Sequence, residues 1–217
     1  MIAVRIMIAD DHAIVRRGLR SLLEIQPGWE VCAEASNGRE AVEKAAQFKP
    51  DVAVIDIGMP ELNGLEATRQ IVAMHPQTEV LILTMHQSEE VVREVLHAGA
   101  RGYVLKSDAD VHLIAAVETL LQHKPFLTPT VTDLVLGEYL NDWTSAEEVR
   151  ANSRVTARER EIIQLLAEGK SNKEVAALLG ISVKTAETHR NRIMRKLKLD
   201  SICDLVHYAV RNEIVEA

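Results

Sequence analysis

The first 124 residues alternate short apolar runs with longer stretches in which apolar positions recur at helical spacing. Val4 to Ala9, Val31 to Ala33, Val52 to Ile55, Val80 to Leu83 and Tyr103 to Leu105 are short, continuous and rich in β-branched residues, the pattern of buried strands. Between them lie amphipathic stretches. Leu113, Ile114, Val117, Leu120 and Leu121, for example, fall at helical spacing before Pro125. Strand alternating with helix predicts an α/β domain with a five-stranded parallel sheet, covered on both faces by right-handed crossovers. Ligands of such sheets sit beyond the carboxyl ends of the strands. The residues that follow each strand are therefore the first place to look for chemistry.

After residue 124 the pattern loosens. Residues 125–152 hold two prolines, several threonines, a short apolar stretch (Val131, Leu134, Val135, Tyr139) and a polar run that includes Trp143. They read as a linker with room for one docked helix. Beyond it the signals are local: Thr156 with Glu159 three residues on predicts a capping box, and Gly169 a helix end. Ser171 with Glu174 repeats the signal and Gly180 closes that helix, Ser182 caps a third running to about Lys198, and Ser201 a fourth. The expected domains are 1–124, a linker over 125–152, and an all-α four-helix domain over 153–217.

Charge separates the two halves further. The 217 residues are 47% hydrophobic, enough to give each domain a core, and carry a net charge of -7. Residues 1–149 contribute -11 and residues 150–217 contribute +4, so the acidic and basic halves address different partners. Two distant cysteines, Cys32 and Cys203, suggest neither a disulfide framework nor a zinc site. The apolar start is broken by Arg5 and closed by Asp10 and Asp11, unlike a signal peptide, and no stretch is long enough to span a bilayer. A soluble, cytoplasmic protein is the expectation.

Asp10 and Asp11 fall at the end of the first strand, Asp56 at the end of the third, Thr84 at the end of the fourth and Lys106 at the end of the fifth. Three carboxylates at one sheet edge repel one another and need a cation, for which Mg2+, with its preference for oxygen ligands and retained waters, is the natural candidate. The hydroxyl and the ammonium group then face the same place as donors to an anion.

These residues, with Val54-Ile55-Asp56-Ile57-Gly58-Met59-Pro60, Asn63-Gly64 and Tyr103, resemble the receiver domain of two-component response regulators across residues 1–124. The resemblance implies a flavodoxin-like, doubly wound sheet. It implies Asp56 as phosphoryl acceptor, Mg2+ held by Asp11, Asp56 and the Gly58 carbonyl with help from Asp10, phosphoryl oxygens held by Thr84 and Lys106, and a switch made of Thr84 and Tyr103. Ser107 stands where many receivers have proline.

In the basic half, Ala186, Ile193 and Leu197 of the third helix share an inward face, which leaves Lys184, Glu187, Thr188, Asn191 and Arg195 outward. Glu, Asn and Thr can read base edges, whereas Lys184, Arg190, Arg192, Arg195 and Lys196 suit phosphates. Gly180 between two short helices suits a helix-turn-helix. Thr156 to Glu161, Leu165 to Gly169, Ser171 to Glu174, Leu178 to Ser182, Lys184-Thr185 and Glu187 to Arg190 resemble the LuxR-type DNA-binding domain, and the whole chain resembles a NarL/FixJ-type response regulator. Val155-Thr156-Ala157 and Ala186 depart from the family's usual Leu-Thr-Pro and Val. The resemblance implies no enzyme, a sensor histidine kinase and double-stranded DNA as partners, and a homodimer on DNA formed through the last helix.

Two rivals follow from the same residues. A metal-dependent phosphatase uses an aspartyl nucleophile but usually needs an acid two residues later, where this chain has Gly58. A constitutive DNA-binding protein with a decayed receiver is opposed by the intact Asp10, Asp11, Asp56, Thr84 and Lys106. His75, His86, His97, His112 and His123 lie on separate elements with no i, i+4 pair, so they do not suggest a metal site.

Overall fold

The computed structural model describes residues 3–85, 88–128, 131–132, 155–212 and 214–215. They form two compact units. The first holds strands β1 (Val4–Ala9), β2 (Trp29–Ala35), β3 (Val52–Ile55), β4 (Glu79–Thr84), β5 (Gly102–Leu105) and β6 (Phe126–Leu127). Its helices are α1 (Ala13–Glu24), α2 (Gly38–Phe48), α3 (Gly64–Met74), α4 (Glu89–His97) and α5 (Ala109–Leu121). All the strand pairs are parallel, in the order β2-β1-β3-β4-β5-β6.

The two-residue period of the strands divides the core. Ile6, Ile8, Val52, Val54, Leu81, Leu83 and Val104 pack with Leu19 and Leu23 of α1 and with Leu113, Val117 and Leu120 of α5. Met7, Ala9, Ala53, Ile55, Val80, Ile82 and Tyr103 pack with Ala41 and Ala45 of α2, Ile71 of α3, and Val91 and Val95 of α4. Helices on both faces make continuous apolar strands stable, as the sequence pattern requires. β2 is the exception: as an edge strand it buries only alternate residues.

The sheet has six strands, not the five expected. Phe126 pairs with Gly102 and Leu127 with Tyr103, so the stretch read as the start of the linker extends the sheet beyond β5. The Phe126 N–H donates to the Arg101 carbonyl at 2.9 Å, and Val131 is buried in the same cluster as Tyr103. Two residues beside Pro125 carry no two-residue alternation for a reader to find; the pairing exists because α5 returns the chain to an open edge. Leu134, Val135, Tyr139 and Trp143, with the docked helix expected there, lie outside the described residues, as does His86.

The second unit contains α6 (Ala157–Ala167), α7 (Asn172–Leu179), α8 (Val183–Leu197) and α9 (Ile202–Arg211). Capping boxes open α6 (Thr156, Glu159), α7 (Ser171, Glu174) and α9 (Ser201, Asp204), and the Ser182 hydroxyl caps α8. Ile162, Leu165, Val175, Ala186, Ile193, Leu205 and Ala209 form its core.

Candidate functional site

The topology of the first unit brings distant residues to one edge. β1 and β3 are neighbours, with Ala9 opposite Ile55, so the residues after them, Asp10 and Asp56, emerge side by side where the strand order reverses. The Asp56 N–H donates to the Ala9 carbonyl at 2.8 Å, which fixes the base of the acceptor loop to β1. Thr84 ends β4 opposite Leu105, and Lys106 follows β5. The five residues that the sequence placed at strand ends therefore lie along one edge in the order β1, β3, β4, β5.

Asp10 and Asp56 are buried, the latter 4% exposed, whereas Asp11 is exposed. The Lys106 ammonium bridges the two buried carboxylates, its Nζ 2.8 Å from Asp10 Oδ2 and 2.8 Å from Asp56 Oδ2. Burial disfavours the charged lysine, but hydrogen bonds and attraction from Asp10 and Asp56 outweigh it and hold the group above the ordinary lysine range. Ligand atoms of Asp10, Asp11, His12 and Asp56 all lie within 4.8 Å of one another. One ammonium beside three carboxylates leaves negative charge to be offset, and the carboxylate donors are hard oxygens, so the pocket is compatible with a metal ion.

His12 escaped the sequence reading. Its backbone N–H donates to Asp10 Oδ1 at 2.7 Å, and its Nδ1 lies 2.7 Å from Asp11 Oδ1. Its place directly after Asp10-Asp11 was the available signal. Gly64 owes its place in the Asn63-Gly64 pair to close packing. Its N–H donates to the Ile57 carbonyl at 2.9 Å, and a Cβ added there would stand 1.9 Å from the Asp56 carbonyl oxygen. Asn63 caps α3 through the Glu66 N–H, so the Asn-Gly pair starts a helix while letting its backbone touch the acceptor loop. Tyr103 is 0% exposed, inside the core shared with Val91, Val95 and Val131.

The second unit presents a different surface. Gly180 ends α7 in the left-handed region at φ 64°, a conformation that costs glycine little, and Ser182 starts α8 two residues later. On α8, Ala186 and Ile193 are buried. Lys184, Glu187, Thr188, Asn191, Arg192, Arg195 and Lys196 are exposed, and Arg190 is partly so. The Thr188 hydroxyl donates to the Lys184 carbonyl at 2.8 Å, which leaves its methyl group and a lone pair for a partner. Lys196 points elsewhere: its ammonium lies 2.6 Å from Glu159 Oε2.

Comparison with known proteins agrees with both geometries. Residues 6–118 match the response regulator receiver domain, and residues 153–209 match the bacterial regulatory proteins of the luxR family. The oxygen regulatory protein NreC of Staphylococcus carnosus is 41% identical over 217 residues, covering 98% of this chain and 100% of the relative. The RcsB response regulator of Salmonella typhimurium is 26% identical over 98% of this chain and 99% of that one, with a TM-score of 0.64. An RcsB-DNA complex matches at 26% identity over 95% of this chain and 97% of that one, with a TM-score of 0.57. The chain belongs to the two-component response regulators that join a receiver to a LuxR-type DNA-binding domain, the NarL/FixJ type. It is a phosphorylation-dependent regulator of transcription. Among the described residues no helix is long and apolar enough to cross a membrane.

Proposed function

We propose that Asp56 is the phosphoryl acceptor and that its modification controls DNA binding by α8. The observation that carries this reading is the bridge from Lys106 to Asp10 and Asp56, which places a donor for an anion directly on the candidate nucleophile. A carboxylate oxygen of Asp56 forms a bond to phosphorus while the bond to the imidazole nitrogen of the kinase's phosphohistidine breaks. Lys106 then shifts from carboxylate to phosphoryl oxygen, and Thr84 donates its hydroxyl to another. Asp11, Asp56 and the Gly58 carbonyl, with help from Asp10, would hold Mg2+, which would supply charge neutralisation for the acceptor and the incoming group. The chain keeps the group rather than turning over a substrate, which makes it a receiver and not an enzyme.

Tyr103 already fills the core beside β6, so the switch consists of Thr84 repacking against it, after which the receiver face changes its contacts and either frees α8 or favours a dimer. There, Glu187, Thr188 and Asn191 read base edges, and Lys184, Arg190, Arg192 and Arg195 hold phosphates of double-stranded DNA. Pairing through α9 suits a two-part site. A groove of about 350 Å³ beside that helix is lined by Lys198, Asp200, Asp204, His207, Tyr208 and Arg211, whose mixed charges are compatible with pairing of two copies. A receiver of residues 1–124 extended by β6, a linker from there to 152, a DNA-binding domain over 153–217 and a cytoplasmic setting belong to the same reading.

Intact-mass spectrometry after incubation with acetyl phosphate and Mg2+ tests the acceptor. Wild type gains one phosphoryl group and Asp56→Ala gains none; a full phosphorylated peak from Asp56→Ala contradicts the assignment.

A further inference from the structure

Lys196 is exposed near the end of α8 and, by charge alone, belongs with the lysines and arginines that hold DNA phosphates. The structure gives it other work. Its Nζ lies 2.6 Å from Glu159 Oε2, across 37 residues of sequence. That same oxygen accepts the Thr156 N–H at 2.9 Å, while the Thr156 hydroxyl accepts the Glu159 N–H at 3.2 Å. One carboxylate thus closes the capping box of α6 and grips the last turn of α8. Glu159 is 6% exposed as a residue, and the side chain of Lys196 is 32% exposed.

We infer that Glu159 and Lys196 form a clasp that positions α8 for sequence-specific DNA binding, and that Lys196 is a positioning residue rather than a phosphate contact. It rests on α8 being the DNA-reading helix.

The competition between the two partners decides the role. A phosphate that recruited Lys196 would leave the Glu159 carboxylate with only neutral donors from Thr156, and a buried charge without a counter-charge is costly. Exposed phosphate contacts carry no such penalty, and Arg192 and Arg195 are exposed on the same helix. The carboxyl of Glu159 sits below its ordinary range: burial would raise it, but Lys196 and the Thr156 N–H outweigh burial. The start of α8 is fixed by the Gly180 turn and the Ser182 cap, and its middle by buried Ala186 and Ile193. The clasp adds a directional tie to the remaining end, where Met194, Leu197 and Leu199 pack against the same core. With it broken, only that apolar packing sets the tilt of α8, and Glu187, Thr188 and Asn191 reach their base edges together less often.

Fluorescence anisotropy of the full chain tests this on a duplex carrying a selected site and on a random duplex, over about 50 to 200 mM salt and below every variant's unfolding transition. Lys196→Met is expected to weaken the selected site about tenfold while leaving the random duplex and the slope of log Kd against log salt unchanged. Glu159→Gln, which removes a negative charge and leaves Lys196 in place, weakens the selected site in the same way. Lys196→Arg restores it. A slope shallower by about 1 in Lys196→Met, with both duplexes weakened equally, overturns the clasp and makes Lys196 a phosphate contact. Glu159→Gln binding the selected site as well as or better than wild type overturns it too, and that variant decides the matter if Lys196→Met does not fold. Arg195→Met is the separate control: its slope falls by about 1 if α8 faces the phosphates, and an unchanged slope there discredits the DNA-reading helix itself.

Discussion

In the receiver unit the candidate site is buried and assembled from the ends of four strands, whereas in the helical unit it is one exposed face of one helix. Asp10, Asp56, Thr84 and Lys106 come together only because β1, β3, β4 and β5 lie side by side, and their geometry depends on every crossover between them. Glu187, Thr188, Asn191 and Arg195 are neighbours by helical periodicity before any tertiary contact forms. The first arrangement suits a group that must be held and sensed, since burial strengthens each electrostatic contact. The second suits a surface that must enter a groove. Substitutions that disturb close packing are therefore expected to cost most in the receiver, while those that remove a local capping signal cost moderately in the helical unit.

Gly64→Ala has the largest expected effect. The added methyl would stand 1.9 Å from the Asp56 carbonyl oxygen, so the acceptor loop or the start of α3 must move. Calorimetry is expected to show the receiver destabilised by about 3 kcal/mol, with acetyl phosphate labelling lost. An unchanged transition would mean that the loop does not rest on this helix.

Ser171→Ala removes one half of the capping box at α7, where the Ser171 hydroxyl accepts the Glu174 N–H at 3.3 Å and Glu174 Oε2 accepts the Ser171 N–H at 2.8 Å. The expected loss is about 1 kcal/mol in the helical unit, read by urea unfolding, with labelling of the receiver intact. A change in receiver labelling would blur the contrast between local and assembled structure.

The smallest effect is acid sensitivity. Burial raises the Glu40 carboxyl, but Lys44 and the Ser36 N–H and hydroxyl outweigh it and bring it down to about 2 from an ordinary 4.5. A group whose folded value is depressed binds protons less readily when folded, so its stabilisation is complete above about 4.5 and fades as pH falls toward 2. Because the side chain is one-third exposed, the slope is shallow. Glu40→Gln should flatten the thermal stability of the receiver between pH 4.5 and 2, and an unaltered slope would remove Glu40 from the account.

What could be read in advance follows the same division. The first five strands and, in the pocket, Asp10, Asp11, Asp56, Thr84 and Lys106 were legible because buried strands show as continuous apolar runs and the chemistry sits directly after them. The caps at Thr156, Ser171, Ser182 and Ser201 were legible because each is written within four residues. Contacts set by closure were not. β6 is two residues whose partner lies 24 positions earlier. The purpose of Gly64 is set by a carbonyl eight residues back across a loop. Lys196 counts by charge among the phosphate contacts, and only its partner in α6 shows that its charge is turned to another use.

The central claim is that charge added at Asp56 changes what α8 does. Its most direct test is DNA affinity of the full chain on a selected duplex, with and without acetyl phosphate and Mg2+, for wild type and Asp56→Asn side by side. Phosphorylation is expected to tighten binding of wild type by about tenfold and to leave Asp56→Asn unmoved. Equal affinity of phosphorylated and unphosphorylated wild type, or the same gain in Asp56→Asn, would contradict the account.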